Sequence, residues 1–295
     1  MIRSLTPALA LLVATAALAA DPPKPATPAS VLERAPAGDW APVPLDHLMV
    51  MELAGGGRVA ILLAPEFAPG HVGNIEAMAK AHWYDGLWID RVQDGYVTQW
   101  GDPDDKKPLP PGAVEKLPAE YERPVAGLAF KALPYRDTFA PQVGLVGPWP
   151  VARDGATAWL THCYGMVGVG RSNSPDNGNG MELYTIIAQP ARQLDRNITV
   201  VGRVLWGMEH LTALPRGQGA MGFYDAKVKM LPIVRVTMAN ELPASDRPHL
   251  EMLRSDSASF DAWVHIKANR KDDFYVRPAG AIDLCSALPP VREIK

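Results

Sequence analysis

Proline cuts this chain into short pieces. It supplies 29 of 295 residues, about twice the usual ~5%. Each proline fixes φ and lacks an amide donor, so it breaks helix interiors and enters sheets only at edges, strand starts or bulges. A helical bundle is thereby excluded, and short strands with long irregular connections are expected. Material for a core is present, since 47% of the residues are hydrophobic and 8 are tryptophan, which excludes a wholly disordered chain. With a formal net charge of −3, no general affinity for nucleic acid or anionic lipid is expected. The 2 cysteines are too few for a disulfide scaffold or a cysteine-based zinc site.

Residues 1–20 have the pattern of a secretory signal peptide. Arg3 gives the basic start, Leu5 to Leu18 the apolar stretch, and Ala17-Leu18-Ala19 or Leu18-Ala19-Ala20 the small residues that a peptidase needs. The expected location is periplasmic or secreted. No later stretch is apolar and long enough to span a bilayer, so no stable membrane insertion is expected after cleavage. Residues 21–44, rich in Pro and Ala, read as a tether with little regular structure.

Structure is expected to begin near His47. Strands at 47–53 and 58–64 flank the turn Gly55-Gly56-Gly57. Val72, Ile75, Met78 and Ala79 stand at helical spacing and predict a helix over 70–82. Residues 88–100 read as two strands around Asp94-Gly95, and 166–169, 183–187 and 199–204 as a second strand-rich block. Between these blocks, 103–158 reads as irregular, with strand fragments at 125–130 and 143–146. A short helix over 205–214, a strand over 228–238 and, beyond Pro248, a tail helix with Phe260, Val264 and Ala268 on one face complete the pattern. The chain thus divides into a signal (1–20), a tether (21–44), one strand-rich domain (45–240) with an insert at about 104–162, and a helical C-terminal extension (241–295).

Several motifs fail on inspection. Gly168-x-Gly170 lacks the third glycine of a dinucleotide loop, since Asn173 stands there. The loop from Asp176 to Gly180 lacks the acidic ligand that closes a calcium loop. The seven histidines form no HxxxH or HExxH pair, so neither a metal nor a cofactor is expected. In an oxidising compartment Cys163 and Cys285 either pair, tying the tail to the strand-rich domain, or stand as free thiols.

Three segments carry a family resemblance. Tyr84-Asp85-Gly86, then Trp88-Ile89-Asp90-Arg91-Val92 and Tyr96-Val97-Thr98-Gln99-Trp100-Gly101-Asp102-Pro103, closely resemble the cyclophilin signature of YDG, FHRV and FVIQGGDP. Asn179-Gly180-Met181-Glu182-Leu183-Tyr184 is similar to the family's NGSQFF. Leu194-Asp195-Arg196-Asn197, then Val201-Gly202-Arg203-Val204 and Gly207-Met208, resemble its LDGKH…FGRV..GM ending. The likeness covers about 45–103 and 164–240. It implies a mainly β fold, a closed eight-stranded antiparallel barrel with two capping helices, to which the helical extension is added. It also implies peptidyl-prolyl cis/trans isomerisation of Pro-containing polypeptides, with no cofactor.

By the resemblance, Arg91 is the catalytic arginine and Gln99 the glutamine that hydrogen-bonds the substrate backbone. Tyr96, Val97, Tyr184, Leu194 and Ile198 fall in the proline pocket, and Ser172, Asn173 and Ser174 on the strip that pairs with the peptide. The departures matter as much. Asp90 replaces the family's histidine beside the arginine, and Tyr184 replaces a phenylalanine and so brings a hydroxyl that needs a partner. Glu182 replaces a glutamine and is placed to pair with Arg91. Gln193 stands where many members carry the tryptophan that favours cyclosporin, and Ile198 where they carry a pocket histidine. Weak cyclosporin sensitivity is therefore expected. Two readings follow: an isomerase that assists folding of exported proteins, or a weakly active or inactive module of the same fold that binds Pro-containing chains.

Overall fold

The computed structural model describes residues 25–104, 106–225 and 230–294. In chain order it contains α1 (Pro28–Arg34), β1 (Trp40–Pro42), β2 (Leu48–Leu53), β3 (Arg58–Leu63), α2 (Pro69–Lys80), β4 (Trp88–Val92) and β5 (Val97–Gly101). The insert supplies β6 (Arg123–Pro124), β7 (Phe130–Ala132), β8 (Gln142–Val146), β9 (Trp149–Asp154) and β10 (Thr157–Leu160). Then come β11 (Met166–Val169), β12 (Glu182–Ile186), β13 (Val200–Trp206), α3 (Met208–Thr212) and β14 (Leu231–Met238). The tail holds β15 (Leu250–Leu253), α4 (Ala258–Ala268) and β16 (Val291–Glu293).

Eight strands close an antiparallel barrel in the order β11-β12-β5-β4-β14-β2-β3-β13, with β13 pairing back onto β11. Strand alternation decides what fills it. Met49, Met51 and Leu53 of β2 and Val59, Ile61 and Leu63 of β3 point into the core beneath α2, whose Val72, Ile75, Met78 and Ala79 close it. The intervening residues, Leu48, Val50, Ala60 and Leu62, face outward, yet they are buried too, in a second core with Trp149, Val151, Ala158 and Leu160 of the insert and Leu250 and Met252 of the tail. Both faces of β2 and β3 are apolar, so these strands read as continuous hydrophobic runs rather than alternating ones.

The insert is far more regular than its sequence suggests. It forms a five-stranded sheet in the order β6-β10-β9-β8-β7. The strand expected over 125–130 is instead a turn between β6 and β7. Its sheet buries one face against the barrel and turns Val143, Leu145, Ala152 and Trp159 toward α4 and the tail. The insert also caps α2, whose N-cap Ala68 offers no side-chain oxygen. The Glu120 carboxylate accepts from the Gly70 and His71 amides, both at 2.9 Å, and from His71 Nδ1 at 2.6 Å. A negative group there suits the orphan amides and the positive end of the helix.

The tether is corrected from residue 25 onward. Thr27 caps α1 in a reciprocal box with Ser30, and Pro28 occupies a first-turn position where proline is tolerated. Val31, Leu32 and Ala35 pack on the core that contains α4, and β1 pairs with β15. Only part of the tail is helical. Phe260, Val264 and Ala268 of α4 are buried together as expected, while β15 and β16 join β1 in a three-stranded sheet. Residues 1–20, expected to be a signal peptide, lie outside the described residues. Among the described residues, no helix is long and apolar enough to cross a membrane.

Cys163 and Cys285 form a disulfide that bridges the second core across 122 residues of chain. Closing a loop of that size restricts the unfolded ensemble. The double variant Cys163→Ser, Cys285→Ser is expected to lose about 2–4 kcal/mol of stability, read as a lower urea midpoint. Reductant should shift the wild-type midpoint the same way and leave the variant unmoved.

Candidate active site

A β-bulge sets the site. In β4, Ile89 and Val92 both face the barrel core, a spacing of three that strict alternation forbids. The register shift between Ile89 and Arg91 resolves the conflict, because Asp90 is the extra residue. Arg91 is thereby turned outward to the β5 residue opposite it, Gln99.

Arg91 is held on three sides. Its Nη1 donates to Gln99 Oε1 at 3.0 Å, its Nη2 to Gln93 Oε1, and its Nε to the Met221 carbonyl at 2.8 Å. The rings of Tyr96 and Phe223 lie 5.8 and 5.2 Å from the guanidinium carbon. A guanidinium carries five N–H donors, so one on each terminal nitrogen is left over by these three bonds. Burial lowers the Arg91 guanidinium from its ordinary value, against the raising effect of Tyr96, Asp90 and Glu182. It remains a cation at any physiological pH.

The Glu182 carboxylate, expected to pair with Arg91, reaches it through Gln99. Gln99 Nε2 donates to Glu182 Oε1 at 2.8 Å, which fixes the amide so that its oxygen faces Arg91. The turn carrying Met221 and Phe223 runs along the part of β4 beyond its pairing with β14: Gly217 N–H donates to the Val92 carbonyl at 2.9 Å and Tyr224 N–H to that of Asp90 at 2.8 Å. At Gly222 (φ 81) a Cβ would lie 2.5 Å from Gln93 Cα, so the close approach requires glycine. Sequence reasoning missed Gln93, Met221 and Phe223. The glycine cluster Gly217, Gly219 and Gly222 was the available signal.

Beside Arg91 lies a small apolar cluster that brings the five expected pocket residues together. Val97 and Tyr184 are buried with Ile186 and Ala191, and Tyr96, Leu194 and Ile198 pack against them. Ile186 was missed, although it follows Tyr184 by two on β12 and so shares its face. Ser172, Asn173 and Ser174 are not part of this cluster. They occupy an exposed turn braced by Asp176, and Arg171 joins that turn to the pocket rim by donating to the Asn197 carbonyl at 3.1 and 2.9 Å.

The Tyr184 hydroxyl has a partner that the sequence did not announce. His162 Nε2 lies 2.9 Å from it, while His162 Nδ1 lies 3.1 Å from Asp195 Oδ1. A carboxylate only accepts, so Nδ1 donates to Asp195, and Nε2 pairs with the Tyr184 hydroxyl. Asp195 Oδ2 takes Arg192 Nε at 2.6 Å, and Arg192 closes on Asp137 with two bonds of 2.9 and 3.1 Å. His162, Arg192, Asp195 and Asp137 are all buried. Burial alone would lower the Arg192 guanidinium, but the carboxylates of Asp137 and Asp195 outweigh it and hold it above its ordinary value. Burial likewise keeps the Tyr184 phenol well above its usual range. Gly168 makes room for the ring, since a Cβ there would sit 2.4 Å from the hydroxyl oxygen.

The site therefore offers an oriented cation beside a cluster of apolar side chains, with the Gln99 amide alongside. Among the described residues, no group of three or more His, Cys, Asp or Glu side chains could hold a metal ion.

Comparison with known proteins agrees with the fold. Residues 48–238 match the family model described as cyclophilin type peptidyl-prolyl cis-trans isomerase/CLD. A probable peptidyl-prolyl cis-trans isomerase of Brucella suis is 25% identical over 175 residues, which cover 59% of this chain and 74% of that protein. Peptidyl-prolyl cis-trans isomerase B of Bacillus subtilis is 40% identical over 68 residues, 23% of this chain and 48% of the relative. The crystal structure of cyclophilin AquaCyp293 from Hirschia baltica superposes with a TM-score of 0.68 at 23% identity, covering 92% of this chain and 99% of that one. The likeness extends beyond the barrel, over the insert and tail.

Breaking the buried ion network is expected to be costly. Asp137→Ala leaves Arg192 with a single carboxylate and should lose about 3–5 kcal/mol of stability by chemical denaturation. Tyr184→Phe leaves His162 Nε2 unpaired and should lose only about 1–3 kcal/mol. An Asp137→Ala loss no larger than that of Tyr184→Phe would show that the network is not locked.

Proposed function

We propose that this chain, which belongs to the cyclophilin-type peptidyl-prolyl cis-trans isomerase family, uses Arg91 to turn X–Pro bonds in exported polypeptides. The observation that carries this reading is the fixed Arg91–Gln99 pair at 3.0 Å beside the cluster of Val97, Tyr184, Leu194 and Ile198. The reaction has to lower a rotation barrier of ~18–20 kcal/mol about a partial double bond, and nothing covalent is needed. The proline ring enters the apolar cluster. The remaining Arg91 donors meet the prolyl amide as it twists, favouring the pyramidal nitrogen whose lone pair has left resonance. Gln99 holds the guanidinium in place and engages the substrate backbone. Every ~1.4 kcal/mol of differential stabilisation is a tenfold gain in rate, so one preoriented cation and a pocket suffice.

Two features support action outside the cytosol: the signal-like residues 1–20 and the Cys163–Cys285 disulfide, a bond typical of oxidising compartments. The clients on this reading are exported proteins with slow X–Pro bonds. The second reading, a binding module with little turnover, rests on the three bonds by which Arg91 is engaged with its own chain.

Exchange NMR on an Ala-Pro peptide separates the two. Wild type should speed cis–trans exchange, and Arg91→Ala should lose about 10²–10³ of the enhancement. Peptide-induced shifts without exchange would favour the binding module. With Gln193 and Ile198 at the pocket rim, cyclosporin is expected to inhibit weakly, and nanomolar inhibition in the same assay would contradict this.

A further inference from the structure

Asp90 stands beside Arg91 and has no part in the chemistry above. It is 4% exposed, and both of its carboxyl oxygens are buried without a hydrogen-bond partner. The bulge makes Asp90 the extra residue of β4, and its backbone carbonyl is pinned by Tyr224 N–H. The carboxyl is therefore buried in the barrel wall on the residue preceding Arg91, with no hydrogen bond from another described residue. A carboxyl in that position answers chiefly to nearby charge.

Among the described residues, the titratable groups whose charge bears on it are few. Arg91 comes from its own strand, Glu182 from β12 and Tyr224 from the glycine-rich turn; Tyr96 faces Arg91 from the other side. The Tyr224 hydroxyl is occupied, donating to the Pro215 carbonyl at 2.7 Å. Burial first, and then the Glu182 charge, push the Asp90 carboxyl up to about 7, against Arg91 and its own backbone.

We propose that Asp90 is a positioning residue for the isomerisation and acts through Arg91. Neutral, it leaves the guanidinium's charge to the twisting prolyl amide; ionised, it draws part of that charge back toward the barrel wall. The inference rests on the isomerase reading, because it concerns the efficiency of the same cation. Its sign is fixed. The carboxyl is neutral below about 7 and ionises above, so turnover falls as pH rises through neutrality. The loss belongs to kcat rather than KM, because the amide nitrogen calls on the cation more in the transition state than in the bound substrate.

The test is the pH profile of Ala-Pro exchange from about pH 5.5 to about 8.5, spanning the inflexion, for wild type, Asp90→Asn and Glu182→Gln. Wild-type kcat should fall by about threefold to tenfold across that range, a fraction of what full pairing of two close charges would give. Asp90→Asn, which cannot ionise, should hold the low-pH rate throughout. Glu182→Gln should keep the inflexion and move it to lower pH, since Glu182 helps to raise Asp90. A profile that survives Asp90→Asn unchanged, or that vanishes in Glu182→Gln alone, overturns the proposal. A second measurement needs neither turnover nor a folded variant: the wild-type Arg91 Nε–H resonance should titrate with a midpoint near 7. If that resonance is flat, the proposal fails whatever the rates. If it titrates while no peptide is turned over at any pH, the electrostatic coupling stands and the isomerase reading is what fails.

Discussion

The arrangement of the whole molecule depends on burying both faces of β2 and β3. The inward residues fill a barrel, as any closed sheet requires. The outward residues Leu48, Val50, Ala60 and Leu62 would leave an apolar patch in water if the barrel stood alone. The insert sheet and the tail strands cover that patch, and their own outer faces create a third core with α1 and α4. The additions are thus consequences of the barrel's surface. A barrel with this β2–β3 sequence needs a cover, and a cover with this insert sequence needs the tail.

The same cover reaches the site. The apolar cluster beside Arg91 includes Leu194, at the end of a short helical turn whose Arg192 is gripped by Asp137 from the insert. His162, where the insert rejoins the barrel, takes the Tyr184 hydroxyl. Buried ionic groups of this kind contribute little net stability compared with well-packed apolar residues, but they tolerate few alternative geometries. Here they join the apolar cluster beside Arg91 to the insert sheet, so the position of that cluster and the presence of the insert are coupled. A tyrosine in place of a phenylalanine is accommodated only because this relay supplies its partner.

What the sequence made legible was mostly local. The hairpins β2–β3 and β4–β5 pair neighbours through short turns, and α2 shows its apolar face at helical spacing. The five side chains that the resemblance assigned to the pocket, Tyr96, Val97, Tyr184, Leu194 and Ile198, fall in one apolar cluster. The unread parts are non-local. β1 pairs with β15 more than two hundred residues away, and β6 pairs with β10 around the rest of the insert sheet. Strands of two or three residues carry no periodicity to detect. The composition of 21–44 suggested a tether, but the cap at Thr27 and a buried Trp40 outweigh composition once β15 and α4 are there to dock on. The contacts that immobilise Arg91 were hidden for the same reason, since Met221 contributes a backbone carbonyl from across 130 residues.

The strand that carries Arg91 breaks two local rules at one point. Alternation fails between Ile89 and Val92, and a buried carboxyl at Asp90 goes without a donor. Two other buried charges are paired: Arg192 has two carboxylates, and the Glu120 carboxylate has two amides and a histidine. A chain able to satisfy those groups so completely has the means to satisfy Asp90, and an apolar residue there would remove the burden altogether. Local rules are most often broken where a site needs what the rule forbids. The bulge is needed because the guanidinium has to leave the core face while the strand continues around the barrel. The unpaired carboxyl then sits where its charge bears on that guanidinium more directly than on any other described group of its own strand.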